Sequence, residues 1–180
     1  MRPIRSWQTL TICVASSTPG TTGAPPGWIR TAGDDHEPRR FATWAPKAIA
    51  QDIDLGFVLQ PALILGDALL IPELLDNLID NALRYTPAGG TVTVATGQRE
   101  GTPYLCVDDT GPGIPAAERD KVMERFYRLP GTAGNGSGLG LAIVKEIADR
   151  HAATIEVSAG GEGRGARVQV EFLQHDQFGT

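Results

Sequence analysis

The sequence has few of the features that mark secreted or membrane-embedded proteins. Its 180 residues include only two cysteines, Cys13 and Cys106, which lie far apart in unlike contexts. Cys106 alternates with its neighbours in an apolar segment, so we expect a small core residue rather than a disulfide or redox thiol. No apolar run approaches the roughly 18 residues that a transmembrane helix needs. These absences predict a chain without a membrane segment, in the reducing environment of the cytoplasm.

Positive charge is also scarce. The formal net charge is −5, which disfavours nucleic acid as a partner. Hydrophobic residues make up 41% of the chain, and this content is enough for one well-packed domain.

Residues 1–43 differ in composition from the rest of the chain. Residues 15–40 are rich in Ser, Thr, Gly and Pro, without helical or alternating periodicity. We therefore predict a disordered or loosely attached segment over 1–43, a domain over 44–173 and a polar tail over 174–180. The first 15 residues resemble a signal peptide only weakly, because threonine interrupts their short apolar run, and we do not expect export.

Two glycine-rich segments contain the strongest functional signals. Asp109 ends an apolar strand and begins a D-x-G-x-G turn, where a carboxylate beside bare backbone can accept a hydrogen bond from an exocyclic amine. Adenine offers such an amine, whereas guanine offers a carbonyl. Residues 136–141 place alternate glycines ahead of an apolar helix, an arrangement that turns backbone N–H groups toward phosphate oxygens.

A helix expected from Asp67 to Tyr85 has a second, polar stripe beside its buried one. Glu73, Asn77 and Asn81 are spaced by four residues. Arg84 and Tyr85 follow three and four residues after Asn81, so all five can project toward one cleft. Amide oxygens suit a hard cation, a guanidinium suits phosphate, and a tyrosine ring can flank a base.

Together these segments resemble the catalytic and ATP-binding domain of bacterial sensor histidine kinases, in the GHKL ATPase superfamily. Residues 73–87 are similar to the N box, 109–113 to the G1 box, 124–128 to the F box and 136–141 to the G2 box. The four boxes occur in the family's order and span most of residues 44–173, so the match is far more specific than a lone G-x-G.

The resemblance implies a site for ATP and Mg²⁺, with Asn81 as the metal ligand. It places the nucleotide contacts at Asn77, Asn81, Arg84, Tyr85, Asp109, Gly111, Gly113, Ile114, Arg128, Gly136, Ser137, Gly138, Leu139 and Gly140. Related ATPases that hydrolyse ATP have a glutamate base where Asn77 stands. An amide cannot take a proton from water, so Asn77 favours phosphoryl delivery to another nucleophile.

Residues 123–137 contain several glycines between the two glycine boxes, and we expect a mobile nucleotide lid. Phe126 and Tyr127 are predicted to hold one end of it against the domain. Arg125 and Arg128 are predicted to reach the terminal phosphate.

The chain contains three histidines, and none matches the family's phosphoacceptor motif. His36 precedes Pro38, which disfavours a helix there, and His175 lies in the polar tail. His151 is expected to cap the last helix as a cation. We therefore predict no catalytic residue in this chain. The acceptor histidine would come in trans from a dimerisation domain, with a response regulator as the further partner.

The coarse layout predicts an α+β fold. Short strands are expected at 53–59, 62–66, 91–96, 103–107, 154–158 and 166–172, and helices at 67–85, 116–125 and 139–151. Three main helices on one face of a mixed, mostly antiparallel sheet make a two-layer α/β sandwich, as the resemblance also implies.

Two other function classes stay open. An anti-sigma-type serine kinase resembles this fold, although residues 84–87 and 124–128 favour the histidine kinases. The other is a catalytically silent gene fragment that only binds nucleotide.

Overall fold

The computed structural model describes residues 12–15, 28–29, 37–67, 69–130 and 137–173. The predicted site residue Gly136 and two of the three histidines, His36 and His175, lie outside these ranges. In chain order the elements are β1 (Ile12–Ala15), β2 (Trp28–Ile29), α1 (Glu37–Ala50), β3 (Asp54–Leu59), β4 (Ala62–Leu65), α2 (Leu70–Tyr85), β5 (Thr91–Arg99), β6 (Thr102–Asp109), α3 (Gly140–Arg150), β7 (Thr154–Ala159) and β8 (Ala166–Glu171).

The main sheet has five strands in the order β3-β5-β6-β8-β7. β3 runs parallel to β5, and every other pair is antiparallel. One hydrophobic core joins the inward side chains of the sheet, such as Val94 and Leu105, to α2, α3 and Trp44 of α1. The predicted α+β fold, a mixed and mostly antiparallel sheet covered by helices, is confirmed.

Residues 116–125 do not form the predicted helix. The structure instead has two short 3₁₀ turns, Ala116–Glu118 and Lys121–Met123. Val122 is the buried side chain of these turns. One apolar anchor cannot supply the buried stripe that stabilises a short helix in a protein, so the helical prediction was wrong here.

The described residues of the N-terminal region include elements that its composition did not predict. α1 begins at Glu37 and crosses the predicted boundary at residue 43. Pro38 is the second residue of this helix, where a backbone N–H has no intrahelical acceptor, so proline is tolerated. β1 lies between β2 and β4 in a second, three-stranded sheet that the sequence did not predict. The other assignments for residues 1–43 stay predictions.

Asp67 lies just before α2, which begins at Leu70 and not at Asp67 as predicted. Its Oδ1 accepts hydrogen bonds from the N–H groups of Leu69 and Leu70, at 2.7 Å and 3.1 Å. These bonds lower the pKa of the Asp67 carboxyl. Pro72 lies in the first turn of α2, where its missing N–H would have no intrahelical acceptor.

None of the helices in the described part of the chain is both long and apolar enough to cross a bilayer.

Cys106 is a buried free thiol in β6, which confirms its assignment as a core residue. Desolvation raises the pKa of the thiol to about 11. Because the thiolate is the reactive form, we expect Cys106 to resist alkylation at about pH 8 in the native protein and to react after unfolding. Peptide mass spectrometry after iodoacetamide treatment, with and without denaturant, checks this. Equal labelling under both conditions would contradict it.

Candidate nucleotide-binding site

A cleft of about 260 Å³ opens between α2, the end of β6 and the start of α3. The structure brings most of the predicted contact residues to it: Asn77, Asn81, Arg84, Tyr85, Asp109, Gly113, Ile114, Arg128, Ser137, Gly138, Leu139 and Gly140. Of the other two, Gly111 packs closely against Tyr85 and Asp109, which line the cleft, and Gly136 is outside the described residues. Segments far apart in sequence therefore converge on one concave surface.

Asp109 is the buried acid of this cleft, with 9% of its surface exposed. Its Oδ1 accepts hydrogen bonds from the N–H groups of Gly111, at 2.8 Å, and Ala166, at 3.3 Å. Burial raises the pKa of the carboxyl, and the two backbone hydrogen bonds oppose this shift. Within the described residues Oδ2 has no hydrogen-bond partner, so it is available to a donor that enters the cleft.

The glycines of the D-x-G-x-G turn are required by close backbone approach. A Cβ on Gly111 would lie 2.8 Å from the carbonyl oxygen of Tyr85, at the end of α2. Gly113 has a φ of +77°, and a Cβ there would lie 2.7 Å from the carbonyl oxygen of Gly165. These contacts set the separation between α2 and the Asp109 carboxylate.

The polar face of α2 forms the opposite wall, as the spacing predicted. The Nδ2 of Asn77 donates to the backbone oxygen of Glu73, at 2.8 Å, and to its Oε1, at 3.2 Å. This assigns the amide orientation and leaves the Asn77 Oδ1 as an acceptor. A Cβ added to Gly140 would lie 3.7 Å from that oxygen, so the amide oxygen faces the start of α3.

The first part of the predicted lid, residues 123–130, differs from the prediction at two residues. Arg125 pairs with Glu146 of α3, at 2.8 Å, on a surface outside the cleft, whereas Arg128 lines the cleft. Phe126 is 72% exposed and does not hold the segment against the domain. Tyr127 does so, because it packs on the core and its hydroxyl donates to the Glu118 carboxylate. Glu118 sits in the turn that replaced the predicted helix.

His151 caps the end of α3, as predicted, but its ring contacts do not require a cation. Its Nδ1 lies 2.7 Å from the carbonyl oxygen of Ile147, and its Nε2 accepts the N–H of Asp67, at 2.9 Å. These partners require a neutral imidazole with its proton on Nδ1. The ring thus links the end of α3 to the start of α2, with both nitrogens engaged.

Sequence reasoning missed part of the cleft lining, namely Pro112, Val122, Tyr127, Leu129, Leu141, Ile143 and Ala166. Most are apolar residues without a motif of their own. Ala166 had one available signal, because it follows the glycine-rich connection at 159–165. Gly165 in that connection has a φ of +71° and lies against the backbone of Asp109.

The family comparison agrees with this geometry. The model of the family described as histidine kinase-, DNA gyrase B-, and HSP90-like ATPase matches residues 66–176, which contain α2, both glycine boxes and the cleft. The chain belongs to this family. The motif resemblance is thereby confirmed, and the domain is an ATPase domain of the histidine-kinase type.

Sensor kinases are prominent among its relatives. The chain is 43% identical to the sensor protein kinase PmrB of Pseudomonas aeruginosa over 134 residues, which are 74% of this chain and 28% of PmrB. It therefore spans less than a third of the length of that curated relative.

Solved structures of sensor kinases share the fold. The mycobacterial sensor histidine kinase MprB superposes with a TM-score of 0.66 at 30% identity, covering 75% of this chain and 93% of the MprB chain. Full-length ShkA, solved in complex with AMPPNP, has a TM-score of 0.64 at 28% identity, over 75% of this chain and 28% of ShkA.

Proposed function

We propose that this domain binds ATP with Mg²⁺ and transfers the γ-phosphoryl group to a histidine supplied in trans by a dimerisation domain, from which a response regulator would receive it. The observation that carries this proposal is the convergence of Asp109, the amides of α2 and the start of α3 on one cleft. The complex of the related ShkA with AMPPNP supports ATP as the ligand of this cleft.

Base recognition would depend on Asp109. Its Oδ1 is occupied by two backbone N–H groups, so Oδ2 would accept the exocyclic amine of adenine. Apolar side chains of the lining, such as Ile114 and Leu141, would contact the faces of the purine, and Tyr85 is placed to flank it.

The phosphates would lie at the opposite end of the cleft. Residues 137–140 lead into α3, whose first turn has backbone N–H groups without intrahelical acceptors. Arg84 and Arg128 line the same cleft and supply two cationic side chains. This combination of helix terminus and guanidinium groups suits a triphosphate.

The donor set fits Mg²⁺ delivered with the nucleotide. The described residues contain no cluster of three or more His, Cys, Asp or Glu side chains that could hold a metal ion. Asn81 and the Oδ1 of Asn77 provide amide oxygens, which are hard ligands but too few to hold the ion alone. Asn81 would be the ligand, with phosphate oxygens completing the coordination. When bound, the ion would offset negative charge on the phosphates.

Transfer would break the bond between the γ-phosphorus and its bridging oxygen and form a bond from phosphorus to an imidazole nitrogen, with ADP leaving. The Asn77 amide cannot act as a base for water, which disfavours hydrolysis as a competing reaction. His151, the histidine within the described residues, has both ring nitrogens hydrogen bonded away from the cleft. The nucleophile would therefore come from a partner domain.

The test is incubation with γ-labelled ATP, with and without a separately expressed histidine-bearing dimerisation domain of a related sensor kinase. We expect no label on this chain alone and acid-labile label on the added domain. Acid-stable label would indicate the serine-kinase alternative. If ATP binds but no label reaches the added dimerisation domain, the chain would be the catalytically silent fragment that only binds nucleotide.

Replacing Asn81 with alanine should remove the metal-dependent part of ATP affinity, a change of about tenfold for one lost ligand. Calorimetry with and without Mg²⁺ measures this. Asp80→Ala is the matched control, because Asp80 is adjacent on α2 and pairs with exposed Lys47 at 2.7 Å instead of lining the cleft. Equal effects of the two substitutions would contradict the assignment of Asn81.

A further inference from the structure

Two consecutive aspartates at the end of β6 contact the same connection from opposite faces of the sheet. Side chains alternate along a strand, so Asp109 faces the cleft and Asp108 faces the open side of the sheet. The connection between β7 and β8, residues 160–165, passes over the end of β6 and contacts both residues.

Asp108 binds this connection near its start and just after its end. Its Oδ1 accepts the N–H of Gly161, at 3.1 Å. Its Oδ2 accepts hydrogen bonds from Nε, at 2.9 Å, and Nη2 of Arg167, which is the residue opposite Asp108 in the pairing of β6 with β8. The Asp108 side chain is only 18% exposed, so this pair, in which two guanidinium nitrogens donate to one carboxylate oxygen, is partly shielded from water.

The connection in turn sets the surroundings of Asp109. A Cβ on Gly165 would lie 1.7 Å from the backbone oxygen of Asp109, and a Cβ on Gly160 would lie 2.8 Å from the same atom. Ala166, directly after the connection, donates its N–H to the Asp109 Oδ1. A shift of the connection would therefore change the hydrogen bonds of the carboxylate in the cleft.

We propose that the Asp108–Arg167 pair positions Asp109 for base recognition, by fixing the 160–165 connection and by neutralising the charge next to the buried carboxylate. This inference rests on the proposed function, because it assigns Asp109 to the base. Neither Asp108 nor Arg167 lines the cleft, so both act through Asp109 as positioning residues.

The electrostatic part predicts opposite effects for the two partners. The charge of Asp108 raises the pKa of Asp109, in the same direction as burial. Removing Arg167 leaves that charge uncompensated, so Asp109 becomes protonated at higher pH and loses its acceptor role there. Removing the charge of Asp108 has the opposite effect.

Other ionisable groups near these carboxylates are unchanged in such variants. Arg84 and Arg128 line the cleft that Asp109 faces, together with Tyr85 and Tyr127. On the open side of the sheet, Glu156 of β7 and Cys106 interact electrostatically with Arg167. Arg99 of β5 interacts in the same way with Cys106.

The first test is the Kd for ATP with Mg²⁺, measured by calorimetry from about pH 4 to about pH 8, a range that includes the ordinary carboxyl and imidazole pKa values. ATP affinity should fall as the pH is lowered and Asp109 becomes protonated. For Arg167→Gln we expect this fall at a higher pH than in the unaltered protein, and a roughly threefold weaker Kd at neutral pH. For Asp108→Asn we expect the fall in ATP affinity at a lower pH than in the unaltered protein.

Arg99→Gln is the matched control. It removes the same charge from the same face of the sheet and breaks an exposed pair with Glu171, at 3.9 Å. Its pH profile should match that of the unaltered protein. Identical profiles for Arg167→Gln and Arg99→Gln would overturn the proposed role.

The second test needs no nucleotide. In Asp108→Ala we expect amide hydrogen exchange to be roughly tenfold faster at Gly161 and Ala166, because the carboxylate no longer holds the connection. Unchanged exchange at both amides would overturn the positioning role even in a stable variant. If the unaltered protein bound no ATP, the proposed function would be wrong. The hydrogen-exchange rates would still show whether Asp108 positions Asp109.

Discussion

Replacing Asp109 with asparagine is expected to weaken ATP binding by about a hundredfold while the domain keeps its fold. The reason lies in the two backbone donors that point at Oδ1, from Gly111 and Ala166. They require an oxygen, so the asparagine amide would turn its Oδ1 to them and its NH₂ group to the base. A donor would then face the adenine amine, and a mismatched buried polar pair costs about 1–3 kcal/mol or more.

The same substitution should change base preference. A purine with a 6-oxo group offers an acceptor where adenine offers an amine, so it would suit the new NH₂ group. We expect the ratio of GTP affinity to ATP affinity to rise in Asp109→Asn, with both nucleotides bound more weakly than ATP is bound by the unaltered protein. Loss of folding alone would not raise that ratio, which makes it the discriminating measurement.

Stability should respond in the opposite direction to affinity. Because burial raises the folded-state pKa of Asp109, the folded state binds a proton more readily than the unfolded state. The cost of the buried charge is therefore absent below the ordinary carboxyl pKa and fully present above the raised one. Asp109→Asn removes that cost, so its free energy of unfolding at neutral pH should equal or exceed that of the unaltered protein.

Calorimetry with ATP and GTP, together with urea unfolding at neutral pH, provides these measurements. Asp149→Asn is the control, because Asp149 lies on α3 outside the cleft and forms an exposed pair with Lys145. If the Asp109→Asn protein is stable and binds ATP as tightly as the control, the assignment of Asp109 to base recognition is wrong.

Gly165→Ala is expected to have the largest effect on stability. Its φ of +71° is unfavourable for alanine, and the added Cβ would lie 1.7 Å from the backbone oxygen of Asp109. The overlap is with a backbone atom and not with a flexible side chain. It can be relieved only if the ends of β6 and β8 near Asp109 move apart. We expect a loss of more than about 4 kcal/mol, in the range where a named steric mechanism is required.

Gly163 provides a control within the same connection. Its φ of +73° is nearly the same, but a Cβ there meets no atom within 4 Å. Gly163→Ala should therefore show only the backbone cost of a left-handed alanine, about 1 kcal/mol. Urea unfolding of both variants measures the difference. Similar losses would mean that the backbone conformation, not the contact with Asp109, explains the glycine at 165.

Local patterns were sufficient for the parts of the site that lie on one element. The 3.6-residue period placed Asn77, Asn81, Arg84 and Tyr85 on one face of α2, and helix geometry alone requires this. The position of Asp109 at the end of an alternating strand likewise followed from the sequence. The order of the four boxes identified the family, and its model match confirms it.

Patterns failed where a contact joined distant segments. The partnership of Asp109 with Ala166 spans 57 positions, and it exists because β6 pairs with β8 in one register. The helix expected at 116–125 gave way to turns because its environment buries only Val122. Arg125 turned from the cleft because Glu146 of α3 lies beside it.

By itself, the sequence determined the chemistry available to this protein: a strand-ending carboxylate, a row of amides and glycine-rich backbone, in an order typical of histidine-kinase-type ATPase domains. The tertiary structure decided which of these groups meet. Strand register and helix packing are set by the whole core, so only the folded chain could place Gly165 against Asp109 and connect His151 to Asp67.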